Sequence, residues 1–187
     1  MDHLLLRDDV GVHKAPSLGS TKVLLIPVEV AGFPAFDRAA LERFFSPDDA
    51  GGFVRYYETA SLGRYKPRVT VAPTVQYAQC PLPADTFPGC AIGRGDLSAV
   101  TAGMALMKEV LTKVDEAGLD FTQFDVNGKN GTPDKWIDGV MLLINTPFGG
   151  IGFPYAYFND KTPIIIDGVK IGHLAIAGDS DKYVMVH

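Results

Sequence analysis

Apolar residues in this chain gather into short runs of two kinds, unbroken and helically spaced, divided by stretches rich in Gly, Pro, Asp and Asn. The run KVLLIPVEV (22–30) is unbroken and rich in Val and Ile, the pattern of a strand buried on both faces. Pro27 inside it predicts an edge position or a bulge, because proline has no N–H to give to a ladder. DRAALERFFS (37–46) sets Ala40, Leu41, Phe44 and Phe45 at helical spacing, with Asp37 placed to cap the helix. A second short helix fits 51–63, where Phe53, Tyr56, Tyr57 and Ala60 share a face and Gly63 ends it. RVTVAPTVQYA (68–78) alternates like a half-exposed strand.

The strongest helical signal spans 96–118, with Leu97, Val100, Met104, Met107, Leu111 and Val114 on one stripe and Gly118 as its stop. At that spacing the two methionines read as core filler. DGVMLLIN (138–145) reads as a second buried strand, and 162–176 as a hairpin turning at Asp167-Gly168. Residues 1–20 mix charge with Gly, Pro and Ser without period and read as a leader or flexible arm, leaving 21–187 as the folded unit. Strands separated by long helices, with no internal repeat, predict an α/β or α+β fold.

Composition narrows the function classes. With 187 residues, 47% apolar and 21% charged, the chain is long enough for one well-buried core. A net charge of −5 and scattered Lys and Arg leave no basic stripe for a phosphate backbone, which argues against nucleic-acid binding. The longest apolar runs are about half of the roughly 20 residues a membrane span needs. The start, MDHLLLRDD, has neither the basic region nor the apolar length of a signal peptide. Cys80 and Cys90 flank a loop with three prolines and a glycine that can fold back on itself. A bridge there is the expectation, worth about 2–3 kcal/mol in the loop-entropy model and implying an oxidising compartment. Two unpaired, half-buried thiols are the alternative.

Two stretches carry candidate chemistry. In DFTQFDVNGKNGTPDKWIDG (120–139), Asp125, Asn127, Asn130, Asp134 and Asp138 place oxygen ligands around a Gly-rich loop suited to a hard cation, calcium above all. Lys129 stands where a third ligand belongs, and an Asx-rich turn without metal is the competing reading. The second stretch is DSDKYVMVH (179–187), in which Asp179 or Ser180 can cap a helix whose second turn holds His187. His173, in KIGHLAI, reads as a surface or hydrogen-bonded histidine. The glycines and aromatics of TPFGGIGFPYAYF (146–158) suit either a cleft-lining loop or an ordinary loop packed on the core.

Taken in order, KVLLIPVEV, FFS, VRYYETASLGRYK, DFTQFDVNGKNG with the following DGVMLLI, and IDGVKIGHLAI leading to YVMVH resemble the catalytic domain of the immune inhibitor A family of secreted metallopeptidases. The resemblance runs over residues 22–187. Its most specific parts are Tyr56-Tyr57-Glu58-x-Ala60-Ser61-x-Gly63-Arg64 and the Asp/Asn/Gly loop that leads into a strand. It implies a zincin-like N-terminal subdomain: a twisted mixed sheet backed by helices, forming the upper wall of a cleft. It also implies that VMVH begins an H-E-x-x-H helix, with His187 as a zinc ligand and no catalytic residue in the chain itself. The implied activity is zinc-dependent hydrolysis of protein or peptide substrates outside the cell, by metal-activated water, once the Glu and second His of that motif follow. Alone, the 187 residues are expected to be inactive. The runner-up readings are a calcium-dependent adhesion or carbohydrate-binding module and a degenerate peptidase homologue.

Overall fold

The structure, a computed structural model, describes residues 18–78, 97–128, 131–145, 155–158 and 163–178. Residues 1–17, Cys80 and Cys90, Lys129 and Asn130, residues 146–154 and residues 179–187 lie outside the described residues.

The elements run β1 (Gly19–Val30), α1 (Arg38–Phe44), α2 (Phe53–Ala60), β2 (Tyr65–Val71), β3 (Val75–Tyr77), α3 (Leu97–Glu116), a 3-10 turn (Phe121–Phe124), β4 (Gly139–Ile144), β5 (Tyr155–Phe158), β6 (Ile164–Ile166), β7 (Val169–Ile171) and β8 (His173–Gly178). The main sheet has the order β2-β1-β4-β8-β5, with β3 also paired to β1. These are six strands in five positions, parallel except for β5, which runs antiparallel to β8. The fold is therefore mixed α/β, a mostly parallel sheet with three helices. From β1 the chain steps one way to β2, and from β3 it steps the other way to β4. Right-handed crossovers then put the two connections on opposite faces.

That arrangement explains the continuous apolar run of β1. Leu24, Ile26, Val28 and Val30 pack on one face with Leu106, Met107, Val110, Leu111 and Val114 of α3 and with Phe121 and Phe124. Val23 and Leu25 point the other way, to Leu41 and Phe45 of the α1 region and Phe53 and Val54 of α2. Met107 is fully buried, as core filler should be. Asp37 caps α1 by accepting from the Ala40 N–H at 3.0 Å.

Four expectations need correction. Pro27 lies in β1, an interior strand between β2 and β4, paired in register with Leu143, rather than at an edge. The Leu25 carbonyl accepts from Ala72 N–H on the β2 side, and the Val28 carbonyl from Asn145 N–H on the β4 side. Pro27 shares the alternation of Leu25, so its nitrogen faces the gap where β2 has ended opposite Leu25 and β3 begins opposite Val28. The bend falls in the neighbour, and the predicted 68–78 strand is split at Ala72-Pro73-Thr74. On α2 the buried residues are Phe53 and Val54, while Tyr56 is exposed. The hairpin is shorter than predicted: β6 and β7 pair across Asp167-Gly168, both at positive φ, but the chain leaves at Ile171 and His173 opens β8 of the main sheet. Among the described residues no helix is long and apolar enough to cross a membrane.

Candidate functional site

The Asp/Asn/Gly loop is rooted before it begins. Asp120 accepts from both the N–H and the hydroxyl of Thr122, folding the 3-10 turn, and Phe121 and Phe124 are fully buried under α3. Asp167, in the hairpin turn, accepts from Phe121 N–H at 2.9 Å. The loop's other end is held by the same hairpin: Ile137 N–H donates to the Lys170 carbonyl, Lys170 N–H to the Lys135 carbonyl, and the Lys170 ammonium stands 5.1 Å from the Trp136 ring centre.

Within the loop, two carboxylates organise the backbone. Asp125 accepts from Asp134 N–H at 2.9 Å on one oxygen and from Lys135 N–H at 2.8 Å on the other. Asp138 accepts from Val126 N–H (3.2 Å) and Asn127 N–H (3.0 Å) on one oxygen and from Lys22 N–H of β1 (2.8 Å) on the other. The Asn127 amide donates to the Leu18 carbonyl at 2.6 Å. Asp125, Asn127 and Asp138 are all buried, at 9%, 8% and 4% exposure. Burial pushes the Asp138 carboxyl above the usual carboxylate range; the N–H groups of Lys22, Asn127 and Val126 pull it down, and the charge of Asp125 adds to the rise. Asp134 accepts from Trp136 N–H at 3.1 Å, and its carboxylate lies so close over Gly128 that a Cβ there would overlap it.

The structure thus joins Asp125, Asn127 and Asp138 into one polar knot between the loop and the start of β1, with Asp134 at its margin. Among the described residues no group of three or more His, Cys, Asp or Glu side chains is placed to hold one metal ion. Asn130, His187, Cys80 and Cys90 lie outside the described residues. The knot's partners at the start of β1, the carbonyl of Leu18 just before the strand and the Lys22 N–H within it, escaped the sequence reading; the position of Asp138 directly before the GVMLLI strand was the available signal.

At the opposite end of the sheet the sequence reading missed Asn145. It follows β4, is buried, and completes the end of β1: its side-chain oxygen accepts from Val30 N–H at 2.8 Å, and its amide donates to the Val30 and Pro34 carbonyls at 3.2 and 3.0 Å. Beside it, Glu29 accepts from Phe36 N–H and from the Gln76 amide. A single asparagine ending an apolar strand was its only mark in the sequence. On the far side β5 (YAYF) is the terminal strand of the sheet, with β8 as its one partner among the described strands. Compared with known proteins, the chain matches no family model and no curated protein.

Proposed function

We propose that this chain is the substrate-binding front part of a secreted zinc-dependent endopeptidase domain, with His187 as the first zinc ligand. The observation that carries the reading is the sheet's edge. β5 is the one antiparallel strand among the described strands of the main sheet, it is terminal, and its partner β8 is the strand from which the chain continues toward His187. An extended peptide is recognised by adding to such an edge through main-chain hydrogen bonds, with side-chain pockets supplying selectivity. A histidine nine residues past the end of β8 is close enough in sequence for a metal to sit beside that edge.

Zinc, when bound, supplies a water acidified for attack on a peptide carbonyl. What this chain contributes is the edge strand, the sheet behind it and one imidazole. It contains no H-E-x-x-H, so these 187 residues alone should not hydrolyse a peptide. The test is to extend the chain with the residues that follow His187 in its gene. A Glu next and a His three residues beyond it, one bound zinc per chain, casein hydrolysis, and loss of both on His187→Ala support the peptidase. An extension without that pair, or an extended chain that binds no zinc, overturns it and leaves the adhesion-module reading to be tested by carbohydrate binding.

A further inference from the structure

The loop from Asp125 to Asp138 has the composition of a calcium loop, and the family it resembles would place a cation there. Its described side chains are arranged for a different task. A calcium ion needs six to eight oxygens at roughly 2.3–2.6 Å. Here the carboxylates of Asp125 and Asp138 converge on backbone nitrogen. Five N–H groups point at their four oxygens: Asp134 and Lys135 at Asp125, and Val126, Asn127 and Lys22 at Asp138.

We infer that this loop is a metal-independent clasp, in which N–H groups supply the positive partners that calcium supplies in a loop of similar composition. Each N–H carries the positive end of its dipole onto a carboxylate oxygen, and hydrogen bonds to an ionised acceptor are about twice as strong as neutral ones. The Val126 and Asn127 N–H groups together fill one Asp138 oxygen, and the N–H dipoles offset the carboxylate charge that would draw a cation. The Asn127 amide is turned so that its NH2 group holds the Leu18 carbonyl. Gly128 leaves room for the Asp134 carboxylate over its own backbone, and Gly131, at φ 73°, closes the turn by donating to the Gly128 carbonyl.

The clasp has a structural purpose. Asp138 is the residue before β4, and through Lys22 N–H it locks β4 and the loop to β1 three residues after that strand begins. The fold of the sheet, and any binding at its edge, would then be indifferent to calcium. This inference does not depend on the peptidase reading, since its test leaves His187 untouched.

The experiment is a calcium titration of the whole chain, followed by thermal melting with EGTA and with millimolar calcium, and by terbium luminescence sensitised through Trp136, the single tryptophan and two residues from Asp134 and from Asp138. The expected result is the same melting temperature in both conditions and no terbium emission. Asp125→Asn and Asp138→Asn should each lower the melting temperature by about 5–10 °C, equally with and without calcium. If Asp138→Asn fails to fold, Asp125→Asn and the wild-type titration decide the matter. A melting temperature that climbs with calcium, terbium emission removed by Asp125→Asn, or a variant as stable as the wild type would each overturn the clasp.

Discussion

Leu62 sits at φ 54°, a left-handed conformation that residues other than Gly and Asn rarely adopt, and the residue is 83% exposed. It closes α2: Leu62 N–H donates to the Thr59 carbonyl and Gly63 N–H to the Glu58 carbonyl, the paired bonds of a Schellman end. The sequence pointed to Gly63 as the stop, yet the strained position falls one residue earlier, because the bond geometry and not the glycine sets the register. Leu62→Gly should therefore raise stability by about 1 kcal/mol in urea unfolding, with little packing lost. A second residue-scale cluster, Tyr77, Glu109 and Lys113, ties α3 to β3. The Tyr77 hydroxyl donates to Glu109 at 3.0 Å, and the Lys113 ammonium lies 2.9 Å from Glu109 and 3.9 Å from the Tyr77 ring centre. Hydrogen bonding to Lys113, with help from Tyr77, holds the Glu109 carboxyl below its usual 4.5. Burial, then the bond and charge of Glu109, push the Tyr77 phenol well above its usual 10.0. The signs follow from linkage: the Glu109 contribution is present above 4.5 and lost as pH falls through its lowered value, while the Tyr77 contribution is complete below 10.0 and lost as pH rises through its raised one. Because Glu109 is exposed, Glu109→Gln should cost less than about 1 kcal/mol at neutral pH. That cost should vanish in acid, and urea unfolding of both proteins across the pH range checks it.

At the scale of elements, β1 illustrates what periodicity reveals and what it hides. Its burial on both faces was legible, because an unbroken Val/Ile/Leu run leaves no polar face to turn outward. The place of Pro27 was not, since the missing N–H is accommodated by a gap in a different strand. The same division holds for the loop. Asp125 and Asp138 stand out in the sequence as acidic residues of one Gly-rich loop, but Lys22 N–H is 116 residues from Asp138, and the Leu18 carbonyl 109 from Asn127, so neither partner could be read from local spacing. Asn145 is a third case, a buried amide joining β4 to the end of β1 and to the chain beyond it. Asn145→Ala leaves the Val30 N–H and carbonyl and the Pro34 carbonyl without this partner. With unsatisfied buried groups costing about 1–3 kcal/mol each and partial rescue by water, a loss of about 3 kcal/mol is expected. Asn145→Asp keeps the acceptor for Val30 N–H but faces two carbonyls with a carboxylate, so it should be no better than Ala. Denaturant midpoints of the two variants measure both effects, and an Asp variant close to wild type would show that the amide donors carry no weight.

At the scale of the molecule, one sheet separates two apolar layers, and β1 feeds both. Leu24 belongs to the α3 side and Leu25 to the α1–α2 side, and each is fully buried. The layers share a backbone ladder but little side-chain contact through it, so their coupling depends on whether the sheet survives when one layer is weakened. The register answers this in favour of a single unit: β1 is hydrogen-bonded to β2 and β3 on one side and β4 on the other, and losing either layer exposes the strand both require. Leu25→Ala removes packing only from the α1–α2 layer and should cost about 3 kcal/mol, the middle of the range for buried Leu truncation. Trp136 reports from the other side, where it pairs with Lys170 of β7 beside the Val169 and Ile171 core positions. If the molecule unfolds as one, Leu25→Ala must shift the Trp136 fluorescence transition by the same amount as the far-ultraviolet dichroism transition, and Leu24→Ala must do likewise. A Trp136 transition left in place while the dichroism midpoint falls would mean that the α3 layer, the loop clasp and the hairpin hold together without the α1–α2 layer. The sheet would then be two folding units joined at β1.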